Sequence, residues 1–238
     1  MSETTNNFEQ PEELNQVKGL WQRYNKMIIY AGTGLILLLA GWIGYDKLVR
    51  EPKELKAEET VFLAEDLFGK MASIGFNKDS VNLVLNGGNL DGANITGLLK
   101  VMSNYGGTKT ANRAAYMAGA CYLHIKEFDK AIKYLKEFNG AGAKQIESKA
   151  YILLGHAYAE KNQVDEAMTS YQKATTSNPE DESMTPDALM LYGGYAEANN
   201  KNTEAISAYK QIKEQFPNYL ASANGEVDKR LARLGELN

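Results

Sequence analysis

Cysteine is nearly absent: Cys121 stands alone in 238 residues, so no internal disulfide and no multi-cysteine metal site can form. Histidine is almost as scarce. His124 and His156 are the only two, and neither His-x-x-x-His nor His-Glu-x-x-His spacing occurs. Basic residues are not in excess, with 26 Lys+Arg against 30 Asp+Glu and a net charge of -4. That balance argues against a nucleic-acid partner, which calls for a basic face or stripe. Only five prolines interrupt long Ala/Leu/Lys/Glu stretches, a composition that leans towards helix. A mean hydropathy of -0.41 excludes a polytopic membrane protein but leaves room for a single span. With 44% hydrophobic and 24% charged residues, the chain is ordinary for a folded protein, and wholesale disorder is excluded.

One long apolar run is present. Met27 to Tyr45, bounded by Lys26 and Asp46, carries no charge over nineteen residues. At about 1.5 Å per residue this helix reaches roughly 28 Å, close to the hydrocarbon thickness of a bilayer. Trp21 and Tyr24 precede it and Trp42 and Tyr45 close it, the placement expected of interfacial aromatic rings. A buried core helix would not be apolar on every face, and a cleaved signal peptide would not sit behind 26 residues without an A-x-A site. The reading is a transmembrane helix over 27–45. Lys18, Arg23 and Lys26 before the span face Lys47, Arg50, Lys53 and Lys56 after it, so charge leaves the orientation open.

Residues 1–26 read as a polar tail, disordered to about Leu14, with Val17, Leu20, Trp21 and Tyr24 forming an amphipathic approach to the membrane. Pro52 marks a break. Residues 46–110 then read as a juxtamembrane helical region, with Val61, Ala64, Leu67, Phe68 and Met71 on one helical face. Val81 to Leu85 fits a helix turn or a strand, with helix preferred, and Ile95 to Met102 reads as a short helix.

From residue 111 to 217 the chain repeats itself three times. Gly119, Gly155 and Gly193 are 36 and 38 residues apart. Each is followed after twelve residues by Ala131, Ala167 or Ala205, and four residues later by Leu135, Tyr171 or Tyr209. Glycine and alanine mark places where two antiparallel helices approach closely, and the large residues fill the layer between them. Lys126-Glu127, Lys161-Asn162 and Asn199 to Asn202 fall where each helix pair turns, and Pro179 and Pro217 stop the second helix.

This pattern resembles the tetratricopeptide repeat. The second copy, Tyr151 to Pro179, matches nearly every position of the signature; the first lacks the closing Ala and Pro, and the third has Ala196 for Tyr and Ile212 for Ala. The fold class expected is all-α: one N-terminal transmembrane helix, then a tetratricopeptide-repeat solenoid. Residues 218–238 read as a capping helix with Val227, Leu231 and Leu234 on one face. The architecture as a whole is similar to the YfgM-like ancillary subunits of the bacterial Sec translocon. That resemblance implies a single-pass inner-membrane protein with periplasmic repeats, whose partners are translocon subunits and exported chains. A self-associating envelope scaffold, in which the chain forms a homo-oligomer, is the alternative.

No catalytic constellation accompanies the repeats. Cys121 has no base and orienting partner, and Gly106-Gly107-Thr108-Lys109-Thr110 lacks the first glycine and the preceding strand of a phosphate loop. The chain is therefore read as a non-enzyme without cofactor or metal. By the resemblance, the concave groove is lined by first-helix positions: Arg113, Tyr116 and Ala120; Lys149, Ile152 and His156; Asp187, Met190 and Gly194. Ile152 and His156 stand where some relatives carry a Lys/Asn pair for a carboxylate, so the set points to a mixed protein-binding groove.

Overall fold

The computed structural model describes residues 12–140 and 142–236, with side chains from Trp21 onwards except Gln22. The expected disorder up to about Leu14 falls mostly on 1–11, outside the described part, and Glu12 to Leu14 are already helical. The chain divides into two compact units, one ending at Lys53 and one beginning at Glu54. The first unit contains helix α1, Glu12–Tyr45, and a π-helical turn, Asp46–Arg50. One helical stretch, with an apolar window of mean hydropathy 1.9 of which none is buried, is long and apolar enough to cross a membrane. Helix begins at Glu12, well upstream of the apolar run.

Pro52 does not break the chain. It lies in the first turn of helix α2, Glu51–Ile74, directly after the π-helical turn in which the Glu51 amide bonds to the Asp46 carbonyl. Helix runs without a break through this point; proline has no N–H to donate to the preceding turn, and the wider π-helical turn before it relieves the clash of its ring with the preceding backbone.

Helix α3, Lys78–Asn86, confirms the helical choice at Val81 to Leu85, with Asn77 capping it by accepting from the Ser80 amide at 2.9 Å. The next segment departs from the expected helix. Gly87–Leu90 (β1) and Ala93–Thr96 (β2) pair antiparallel, Gly87 opposite Thr96, around an Asp91-Gly92 turn with φ of 52° and 83°. Both central residues at positive φ make the tight turn whose twist matches a hairpin. Helix α4 starts only at Leu98 and ends at Asn104.

Three helix pairs follow: α5 (Lys109–His124) with α6 (Phe128–Glu137), α7 (Lys144–Glu160) with α8 (Val164–Ser177), and α9 (Met184–Ala198) with α10 (Asn202–Gln215). The fold is the all-α repeat solenoid read from the spacing, with the hairpin as its one β element among the described residues. A Cβ added to Gly119, Gly155 or Gly193 would stand 2.5, 2.4 or 2.7 Å from Leu135, Tyr171 or Tyr209, so each glycine receives the residue sixteen positions later. Ala131, Ala167 and Ala205 are wholly buried at the same crossings.

The turns inside the pairs repeat too. Lys126, Asn162 and Asn200 all take positive φ, and the amides of Glu127, Gln163 and Lys201 each bond back to Tyr122, Tyr158 and Ala196 at 2.9 Å. This closes the first helix with a left-handed residue and satisfies its last carbonyls. Past the third pair, Leu220–Ala223 (α11) and Glu226–Arg233 (α12) form two short helices; Val227 and Leu231 are buried and Leu234 half-buried, while Lys229 and Arg233 face solvent.

Candidate functional site

The first-helix residues of the expected groove divide into three groups. At one end, Arg113 is held by Glu65 of α2 at 3.2 Å. The same helix sends the Glu54 carboxylate to the start of α5, where it accepts from the Lys109 and Thr110 amides at 2.7 and 2.8 Å and from the Thr110 hydroxyl at 2.8 Å. Val61, Ala64 and Met71 pack in one cluster with Ala114, Met117, Ala118 and Cys121, so α2 lies on α5 as an additional layer. Ala120 is only 4% exposed and offers no surface to a partner. Tyr116 is half-buried, its ring 5.6 Å from that of Phe138.

At the other end, Asp187 accepts from the Tyr219 hydroxyl at 2.6 Å. Arg230 of α12 reaches to 3.8 Å from where a Cβ on Gly194 would stand, and donates to the Tyr209 hydroxyl at 3.2 Å. Glu197 joins this cluster with Arg233 at 2.7 Å. Met190 is half-buried among the side chains of the third pair.

The third group lies in the middle. Lys149 is exposed, Ile152 and His156 are half-buried, and a cavity of about 270 Å³ brings both histidines together with Lys126, Phe128 and Glu160. His156 Nδ1 lies 2.9 Å from the Tyr171 hydroxyl, and the Tyr171 ring packs edge-on against Tyr195. His124 is stacked on Phe76, ring centres 3.7 Å apart. Burial lowers both histidines from their ordinary value of 6.5, with Glu160 pulling His156 weakly the other way. The pair is thus neutral at pH 7, and the cavity presents hydrogen-bonding edges and ring faces.

Nucleophilic chemistry has no support in this arrangement. Burial pushes the Cys121 thiol up to about 12, which keeps it protonated at neutral pH. No group of three His, Cys, Asp or Glu able to hold a metal ion occurs among the described residues. Sequence reasoning missed Glu54, Glu65, Tyr219 and Arg230, because each reaches the repeats from an element remote in sequence. No offset within a repeat points to them.

The repeat assignment is supported by comparison with known families. Residues 148–181 match one model of the tetratricopeptide repeat, and residues 113–139 and 187–219 match another. These segments coincide with the three helix pairs. No curated protein matches the chain. Among solved structures, one described as a MamA RS-1 ArsTM double mutant is similar, with 18% identity, a TM-score of 0.47, and coverage of 85% of this chain and 96% of its own. The tetratricopeptide repeats make this chain a protein-interaction scaffold.

Proposed function

We propose that the scaffold is tethered to a bacterial inner membrane by the apolar helix, with its repeats on the periplasmic side. There it acts as an accessory subunit of the protein translocon, with chaperone-like contact to exported chains. The observation that carries this reading is the first-helix face itself. Side chains from outside the repeats reach its ends, Glu65 to Arg113 and Tyr219 to Asp187 with Arg230 near Gly194, and between them Lys149 is exposed and Ile152 and His156 are half-buried beside a cavity. Ring faces beside hydrogen-bonding edges suit short extended segments of varied sequence better than one fixed ligand. The apolar helix supports the tether, and the likeness of the architecture to translocon accessory subunits supports the finer role.

The test is photo-crosslinking in cells with the probe at His156 and a control at Thr169, an exposed second-helix position. Capture of translocon subunits or exported chains at His156 alone is the expected result. Equal capture at both positions would contradict the groove. Capture of the chain's own copies only would favour the self-associating scaffold, for which Leu55 and Phe62 of α2, 61% and 66% exposed, provide an apolar surface. Reporter fusions before Met27 and after Asn238 test the orientation; a cytoplasmic C-terminus overturns the periplasmic assignment.

A further inference from the structure

The second helices of the three pairs begin at the same offset, nine residues after Gly119, Gly155 and Gly193, but they do not end together. Helices α8 and α10 run for 14 residues and α6 for only 10, so the first repeat lacks one helical turn. The chain leaves the helix at Phe138, whose ψ of 134° is extended, and passes through Asn139 and Gly140. In the second and third repeats the positions matching Phe138 are Ala174 and Ile212, both wholly buried in a continuing helix.

The space of the missing turn is a cavity of about 350 Å³ between the first two repeats. Its walls are fixed. Asn112 holds Asn139 from both sides, accepting from its amide at 2.8 Å and donating to its carbonyl at 2.6 Å. Gly140 lies against the Glu147 side chain, 2.7 Å from where a Cβ would stand. Leu135, Phe138, Ala150 and Leu154 supply apolar lining, and the Tyr151 ring adds an aromatic face. Two exposed lysines border it: Lys173, 5.6 Å over the Tyr151 ring, and Lys136 from α6. These residues lie on a different face of α7 from Lys149, Ile152 and His156.

We propose that this cavity is a second recognition site, which takes an aromatic side chain flanked by carboxylates and presented by a protein partner. An apolar floor with ring faces favours an aromatic anchor. Two lysines against Glu147 leave the rim net positive, which selects acidic neighbours. The inference rests on the protein-binding reading and concerns a surface separate from the groove.

The experiment uses the full chain in lipid nanodiscs with labelled Ala and Leu methyl groups, titrated with acetyl-Asp-Phe-Asp-amide. Shifts confined to the methyls of Leu135, Ala150 and Leu154 are expected. Affinity should fall about tenfold or more in the Lys136→Glu, Lys173→Glu double variant, and equally for acetyl-Lys-Phe-Lys-amide. Three results overturn the proposal: no shift at these methyls at millimolar peptide, an equal response to both peptides, or unchanged binding by the charge-reversed variant. A response to octanoate without one to the peptide also overturns it, assigning the cavity to a lipid chain. Failure of the groove appears instead as loss of crosslinking at His156, with the methyl response intact.

Discussion

One methyl group separates each repeat glycine from alanine, and the crossings have no room for it. At Gly155 the added Cβ would stand 2.4 Å from the Tyr171 ring. Gly155→Ala should therefore cost about 1–3 kcal/mol of repeat-domain stability, read as a lower midpoint of thermal unfolding. Gly69 is helical, exposed and has open space around it, so Gly69→Ala should gain about 0.5–1 kcal/mol of stability and raise the midpoint. The two histidines give a pH signature. Burial depresses both from 6.5, so between the folded values and 6.5 the unfolded chain binds more protons. Their contribution is present above that range and is lost as pH falls through the folded values. The His124→Gln, His156→Gln double variant should show a smaller loss of stability than the parent between about pH 7 and pH 5. The glycine rows were legible in sequence because a close approach imposes a local, periodic demand. The partners of Arg113, Asp187 and Gly194 were not, since Glu65, Tyr219 and Arg230 come from outside the repeats.

Helix starts show where local signals suffice and where they do not. Thr108 caps α5 in the ordinary way, accepting from the Ala111 amide at 3.0 Å, and its spacing is visible in the chain. The second cap, Glu54, lies more than fifty residues upstream and serves two further amides of the same turn. Burial raises the Glu54 carboxyl, but the Thr110 hydroxyl, the two amides and Arg113 outweigh it and hold the pKa below 4.5. Glu54→Gln should lower stability by about 1 kcal/mol. Because its folded pKa is depressed, that contribution is present above 4.5 and disappears as pH falls through the folded value. An unfolding series from neutral to acid pH checks both statements. The hairpin 87–96 escaped the sequence reading for a different reason. Of its strand residues only Ile95 and Thr96 are β-branched and the rest include Gly, Asn and Ala, so periodicity is weak, and the Asp91-Gly92 pair was the signal that would have found it. The short α6 was foreshadowed by the missing Ala and Pro of the first repeat, although the cavity it leaves depends on Asn112 and the second repeat.

At the scale of the whole molecule, an apolar helix and a repeat domain divide the work. The apolar window of the N-terminal helical stretch has none of its surface buried, whereas the chain from Glu54 onwards belongs to a unit with its own core. Removal of residues 1–50 should leave a folded domain that no longer sediments with membranes after an alkaline wash, while the full chain does. The repeat solenoid was legible from three aligned copies, because each pair buries its face only against the next. Which side chains from outside the repeats reach that solenoid was not, because α2, Tyr219 and α12 lie beyond any offset within a repeat. The first-helix face is proposed to capture unfolded protein segments. Hydrogen exchange of the full chain in nanodiscs, with and without an unfolded exported protein, tests it most directly. Added protection concentrated in α7 and the ends of α5 and α9 beside it is the predicted result. Protection confined to α6, α8 and α10, or none at saturating client, would contradict it.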